Sequence, residues 1–341
     1  NGGFLQTNGT PMVFGTDFDL FEYDGAKRAN TGVTGWKRVS GQMKAGTACL
    51  IGFNEGQATT IRLKAANATL AEKASIALKA YSGDAKNQNW NGVANPNLHY
   101  VNINKDVQIY NNEEGENGRK YLPYTSSAYS FVVGTAFFVQ ETGSISLSAA
   151  TNELLRAPKR ESERYEACVR IVRDGAETFA DQMFVRASED ASAQYEQGHD
   201  MVTWTGTTAK TALLWTENYG TRLAIEEAPL LNNQASYALG LYVPANGTYR
   251  IEVANTQTDA TLYLTQGGTI IWNLTDGAYE VDLTAGTTSE YGLLLQANAP
   301  RIPTGVEEVG ASKAAQKVVI DDHVYILRGE KMYDTTGKMV K

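Results

Sequence analysis

Gly247-Thr248-Tyr249-Arg250-Ile251-Glu252-Val253 puts Tyr249, Ile251 and Val253 on one side of an extended chain and Arg250 and Glu252 on the other. Successive side chains of a strand point to opposite faces, so this alternation describes a strand with one buried face and one wet face. Tyr279, Val281 and Leu283 repeat it against Glu280 and Asp282. Turn chemistry separates such runs at close spacing, at Ala245-Asn246-Gly247, Gln266-Gly267-Gly268 and Asp276-Gly277. Strands that are wet on one side belong to antiparallel sheets packed face to face. The stretch therefore predicts an all-β, antiparallel sandwich of jelly-roll or immunoglobulin-like type over residues 165–299.

The same pattern extends toward the N-terminus, where Phe18, Leu20 and Tyr23 lead into a turn at Asp24-Gly25 and the run from Trp36 to Val39 precedes Gly41. Residues 65–81 are alanine-rich and have helix propensity, but Ile76, Leu78 and Ala80 alternate, and a lone helix among strands conflicts with its surroundings. A strand is expected there. A second sandwich is predicted over residues 1–152, followed by a polar linker at 153–164 that carries Arg156, Pro158, Lys159 and Arg160. After a further linker at 300–316, residues 317–341 read as a small β-meander, with Val318 and Ile320, then Val324 and Ile326, alternating with polar neighbours. So few residues bury too little apolar surface to be stable alone, which makes the tail a docking element or a sorting segment.

At 341 residues the chain exceeds what one core usually supports, so two domains and a tail are expected. Charged residues are 20% and hydrophobic ones 42%, the balance of a folded chain rather than a disordered one. A net charge of -8 argues against a nucleic-acid partner, since no basic stripe is present to displace counterions from phosphates. The longest nearly continuous apolar run, residues 129–139, is far shorter than the roughly twenty residues of a spanning helix, so no transmembrane helix is expected. Cys49 and Cys168 fall in apolar alternations of different predicted domains and read as two buried free thiols. A chain opening at Asn1 without methionine is expected of a processed protein or a piece of a longer one.

Gln88-Asn89-Trp90-Asn91-Gly92-Val93-Ala94-Asn95-Pro96 resembles the Gly-Trp-Asn-Leu-x-Gly-Asn-Pro-Tyr signature of secreted and surface proteins of Bacteroidetes, with Ala94 in place of the usual glycine. As in that group, a strand ending in a segment like Ala136-Phe137-Phe138-Val139-Gln140 follows. Leu223-Ala224-Ile225, Leu239-Gly240-Leu241 and Gly247-Thr248-Tyr249 are similar to segments of the same proteins, and Glu290-Tyr291-Gly292 departs from an Asp-Arg-Phe-like triplet. The terminal meander looks like the short C-terminal segment of Bacteroides and Prevotella surface proteins, adhesin-like ones included. The resemblance implies a chain that is secreted or held at the outer membrane or cell surface. The same residues also have a structural reading, with Asn95-Pro96 as a turn and Trp90 as a core residue with a polar handle.

Catalytic chemistry needs a nucleophile, a base and an orienting group that converge. His99, His199 and His323 fall in the first domain, the second domain and the tail, which argues against a histidine triad or a two-histidine metal site. No Gly-x-Ser-x-Gly elbow, His-Glu-x-x-His helix, P-loop or dinucleotide fingerprint occurs. Asp17 and Asp19 share a strand face, while Glu113, Glu114 and Glu116 lie in an Asn- and Gly-rich stretch without the spacing of a calcium loop. No catalytic residue, metal site or cofactor is expected. The ligand-binding candidates are Trp90, Trp204 and Trp272, because exposed aromatic faces on a sandwich can stack on sugar rings.

The function read from the sequence is non-enzymatic: adhesion or scaffolding at a cell surface through β-sandwich faces, with a protein or glycan on a host or bacterial surface as partner. The alternative is a carbohydrate-binding module of a larger surface protein. A lesser alternative is a glycoside hydrolase, which needs two carboxyl groups facing each other across a cleft at about 5 to 9.5 Å.

Overall fold

The computed structural model of the chain describes residues 3–6, 10–33, 35–40, 43–54, 61–64, 73–110, 121–125, 130–150, 164–176, 178–204, 210–256, 260–297, 316–320, 323–328 and 331–334. It is nearly all β and mainly antiparallel, with one helix among the described residues. Residues 1–298 form one compact unit and residues 299–341 a second. The second contains a three-stranded antiparallel sheet, Gln316–Ile320, His323–Arg328 and Lys331–Asp334, in meander order as the sequence predicts. The predicted linkers at 153–164 and 300–316 lie almost wholly outside the described residues, as does the Glu113, Glu114 and Glu116 stretch.

An eleven-stranded sheet dominates the first unit. Its strand order begins with Thr269–Asn273 and runs through Ala260–Gln266, Gly286–Ala297, Gln234–Val243, Leu213–Asn218, Thr221–Pro229, Asp181–Ser188, Tyr165–Arg173 and Gly247–Thr256 to Tyr279–Leu283, and the eleventh strand, Met201–Val202, pairs with Thr221–Pro229 beside that path. The two end strands are consecutive in sequence, and Trp272 on one and Tyr279 on the other bring their ring centroids within 6.0 Å. The sheet therefore curls on itself, and its concave face encloses one continuous apolar core drawn from nearly every strand. Tyr249 and Ile251, picked out by their alternation, lie in that core. The Gly267-Gly268 turn joins two of its strands with both residues at positive φ, the backbone that a two-residue hairpin turn demands.

Before residue 151 the described chain makes smaller sheets. Strands Tyr121–Tyr124, Val107–Tyr110, Ala136–Gln140 and Trp90–Ala94 form one of four, and Trp36–Val39, Phe18–Tyr23 and Cys49–Phe53 form one of three. The expected strand in the alanine-rich stretch is Ser75–Leu78, which pairs with Gly143–Ser146. Two features differ from expectation. The Asp24-Gly25 turn opens into a helix, Gly25–Thr31, capped by the Asp24 carboxylate on the Lys27 amide at 2.9 Å and closed by Gly32 in the left-handed region. Strand Asp181–Ser188 pairs parallel with Thr221–Pro229 inside the otherwise antiparallel sheet. Asp181–Ser188 is buried on both faces, the condition that parallel pairing usually accompanies.

That double burial organises the unit. Met183, Val185 and Ala187 point into the core of the curled sheet, while Phe184 on the other face joins Cys168, Leu223, Ile225 and Trp204 against Trp90, Tyr121 and Phe138 of the N-terminal half. Next to this aromatic cluster, Gly240 of strand Gln234–Val243 lies opposite Trp215, and a Cβ there would come within 2.3 Å of the indole. Arg222 stacks over the same indole at 4.2 Å. Gly240→Ala is expected to cost about 1–3 kcal/mol through overpacking, read as a lowered melting temperature, whereas Ser236→Ala, exposed on the same strand, leaves stability unchanged.

Candidate functional site

The polar residues on the outer face of strand Asp181–Ser188 cannot reach water and must find partners in the layer above. Arg186 is 1% exposed and forms a bidentate pair with Asp106, one bond at 2.8 Å, and a bond from its Nε to Glu166 at 2.6 Å. Burial disfavours its charge, but Asp106 and Glu166 more than offset that, and its pKa is raised. Thr125 donates to Glu166 at 3.1 Å, Gln182 donates to the Pro123 carbonyl at 2.8 Å and Gln108 donates to the Val202 carbonyl at 3.1 Å. Each of these contacts ties the N-terminal half to the curled sheet.

One strand away, Glu227 stands level with Arg186 in the parallel register. Its carboxylate pairs with Arg164, accepts the Ser188 hydroxyl at 2.8 Å and lies 3.1 Å from Nδ1 of His199. Arg164 and these hydrogen bonds outweigh burial and hold Glu227 below the ordinary carboxylate range. The Ser188 hydroxyl is thus directed at Glu227 and not at His199, so no serine–histidine pair of the kind nucleophilic catalysis uses is made here.

Asp200 closes the cluster. Its carboxylate accepts from the Glu227 amide and from the Glu196 amide, both at 2.8 Å. Burial, with Glu226 and Glu227 beside it, pushes its pKa up to about 7 despite those two amides. Glu226, on the opposite face of the strand and 5% exposed, is also raised by burial, although Asn218 donates to it at 2.8 Å. The segment leading to Asp200 reaches across to the N-terminal half: Tyr195 donates to Gln140 at 2.9 Å, and Gln197 bonds both the Gln140 carbonyl and the Gln88 side chain. It works as a strap, pinned to the sheet by Asp200.

Of the three tryptophans named from sequence, two are interior. Trp90 is fully buried, with its indole N–H on the Lys86 carbonyl at 3.0 Å, and Trp204 is 3% exposed beneath Tyr23, Tyr121 and Arg28. Neither ring can meet a sugar, because each fills the joint between the halves. Trp272 alone of the three offers a face, at 44% exposure, steadied by its N–H on the Gly277 carbonyl at 3.0 Å. In the segment resembling the Bacteroidetes signature, Asn91 bonds the backbone of Lys79, Asn89 and Glu141, and Asn95 bonds the carbonyls of His99, Phe131 and Val132. Asp17 accepts the Val13 amide and Asp19 pairs with Arg38, so neither is a free carboxylate. Both cysteines are free thiols: burial pushes Cys168 up to about 12 and half-buried Cys49 up to about 11, which keeps both protonated.

The residues missed by sequence reading are Arg186, Glu166, Asp106, Arg164, Glu227 and Asp200. A signal existed in Arg186 within Met183-Phe184-Val185-Arg186-Ala187 and in Glu226-Glu227 after Leu223-Ala224-Ile225, charges embedded in apolar runs. Among the described residues no group of three or more His, Cys, Asp or Glu side chains is arranged to hold a metal ion. No family model, curated protein or solved structure matches the chain.

Two outcomes follow from this cluster. Arg186→Met strands two buried carboxylates and is expected to destabilise by about 3–5 kcal/mol in urea unfolding, with part of the loss recovered by adding Asp106→Asn and Glu166→Gln. A carboxyl whose folded pKa is raised binds its proton more tightly in the native state. Asp200 therefore makes stability fall as pH rises from about 4 toward about 7, and Glu226 acts in the same sense. Glu227 acts in the opposite sense, its contribution being lost as pH falls through its lowered native pKa. Unfolding measured between pH 4.5 and 7.5 should show a shallower decline for Asp200→Asn than for the parent.

Proposed function

We propose that this chain is a non-enzymatic, exported surface protein of the Bacteroidetes kind, built of two sandwich-like lobes and a β tail, that works by adhesion or scaffolding. The observation that carries the reading is the division of labour among its side chains. The buried ion pairs and carboxyls are engaged inside the first unit, with Arg186–Asp106 joining its two halves, while the apolar surface turned outward includes Trp272, 44% exposed, and Ile270, 49% exposed, on one end strand of the large sheet. The segments resembling secreted Bacteroidetes proteins supply the expectation of export to the cell surface.

A carbohydrate-binding module is the second reading, favoured by the Trp272 ring with Tyr279 beside it. The glycosidase reading is weaker: Asp200 and Glu226, the carboxyls held above the usual range, are 6% and 5% exposed and are not presented to a substrate. The deciding experiment exposes the purified chain in parallel to a glycan array and to intact bacterial and epithelial cells, with Trp272→Ala as the variant. Cell binding that persists on deglycosylated cells and drops at least about fivefold with Trp272→Ala is the expected result, within the range of one exposed aromatic anchor. Array binding lost with Trp272→Ala would replace adhesion to protein by glycan recognition, and no binding to either surface would sink both readings.

A further inference from the structure

A sheet that curls without closing leaves two end strands, and each offers a row of backbone groups to any chain that can pair with it. The two ends here are treated differently. Tyr279–Leu283 carries exposed Glu280 and Asp282, the charges with which proteins blunt an edge. Thr269–Asn273, Thr-Ile-Ile-Trp-Asn, carries no charge and no proline, and among the described residues no strand pairs with its outer side. Against its neighbour the register shifts, Trp272 facing Leu264 and Ile270 facing Thr265, so Ile271 is the extra residue of a bulge. A bulge re-aims side chains, and here it sends Ile270 and Trp272 to different sides of the strand, where each is nearly half exposed. A strand added along this edge would be gripped on both faces.

The charge around the edge selects what can be added. Between residues 260 and 297, which supply the edge strand and its neighbours, the sequence has no cationic side chain and four carboxylates, Asp276, Glu280, Asp282 and Glu290. Arg250, before that stretch, already faces Glu280 across a strand pair. The uncharged edge is bracketed by two exposed carboxylates: Glu290, which accepts from Gln266 at 3.0 Å before the strand begins, and Asp276, which accepts from Asn273 at 2.7 Å where it ends. A second copy pairing antiparallel would bring the Glu290 end of one chain against the Asp276 end of the other, like charge on like at both ends.

We infer that Thr269–Asn273 is a β-addition site for an extended, basic segment of a partner protein, with Arg or Lys side chains reaching Glu290 and Asp276 and apolar ones meeting Ile270 and Trp272. Backbone pairing supplies the attachment and the flanking side chains supply the choice of segment. This rests on the adhesive reading and gives it a partner class.

The test uses the full chain and two fluorescein-labelled decapeptides, one alternating valine with arginine and one alternating valine with glutamate. Anisotropy reports binding, and hydrogen exchange reports which amides are protected. The arginine peptide is expected to bind at least about tenfold more tightly than the glutamate peptide, to weaken as salt rises, and to protect amides within 269–273. Asp276→Asn with Glu290→Gln should cost about tenfold and flatten the salt dependence, and Trp272→Ala should cost about fivefold, with circular dichroism unchanged in both variants. Equal binding of the two peptides, or protection elsewhere, overturns the inference. Concentration-dependent dimerisation of the peptide-free chain that Trp272→Ala abolishes overturns it in favour of a second copy. Cell adhesion without protection at 269–273 sinks this inference alone, whereas peptide protection at the edge with no adhesion to any cell surface sinks the adhesive reading and leaves the edge site standing.

Discussion

Strand Asp181–Ser188 is buried along its whole length on both faces, and the rest of the first unit is arranged around that constraint. A strand in this position exposes no side chain to water, so every one must be apolar or matched. Its inward residues, Met183, Val185 and Ala187, meet the first requirement by joining the core of the curled sheet. Its outward residues, Gln182, Arg186 and Ser188, meet the second only because other elements bring Pro123, Asp106, Glu166 and Glu227 to them. Parallel pairing with Thr221–Pro229 sets Arg186 and Glu227 level on one face, which places two opposite charges in the same buried layer.

The charges of that layer do not balance if every carboxyl is ionised. Arg164 and Arg186 are two cations among Asp106, Glu166, Glu227 and Asp200. Three carboxylates take the guanidinium contacts, and the remaining one, Asp200, holds its proton above the ordinary range, as does buried Glu226 on the opposite face of Thr221–Pro229. In a low-dielectric layer an unpaired negative charge is costlier than a retained proton. Glu226 shows the consequence in atomic detail: one carboxyl oxygen accepts from Asn218, while the other and the Thr216 hydroxyl lack a hydrogen-bond partner among the described residues.

Local pattern made much of the architecture legible, and long-range pairing hid the rest. The alternations at Tyr249 and Tyr279, the glycine turn at Gly267-Gly268 and the terminal meander were readable because strand period and turn chemistry are written in neighbouring residues. Helix Gly25–Thr31 was not, since seven residues that begin with glycine carry too little periodicity to distinguish a capped turn from a helix. Trp90 and Trp204 could not be separated from Trp272 by sequence, because all three stand in similar alternations and only tertiary packing decides which ring is covered. The partners of Arg186 were invisible for the same reason: Asp106 is 80 residues away and Glu166 is 20.

The curled sheet also explains why burial and exposure are so unevenly shared. Its middle strands are covered twice, by their own core and by the N-terminal half, and can hold charges only in pairs. Its end strands are covered once, and the two solve that exposure with different residues. Where Glu280 and Asp282 line an edge, each carries hydration that pairing would have to strip away. Where Ile270 and Trp272 line it, pairing would remove apolar surface from water and be favoured. The middle of the sheet is thus fixed by the need to neutralise charge, and its ends differ in whether charge is there at all.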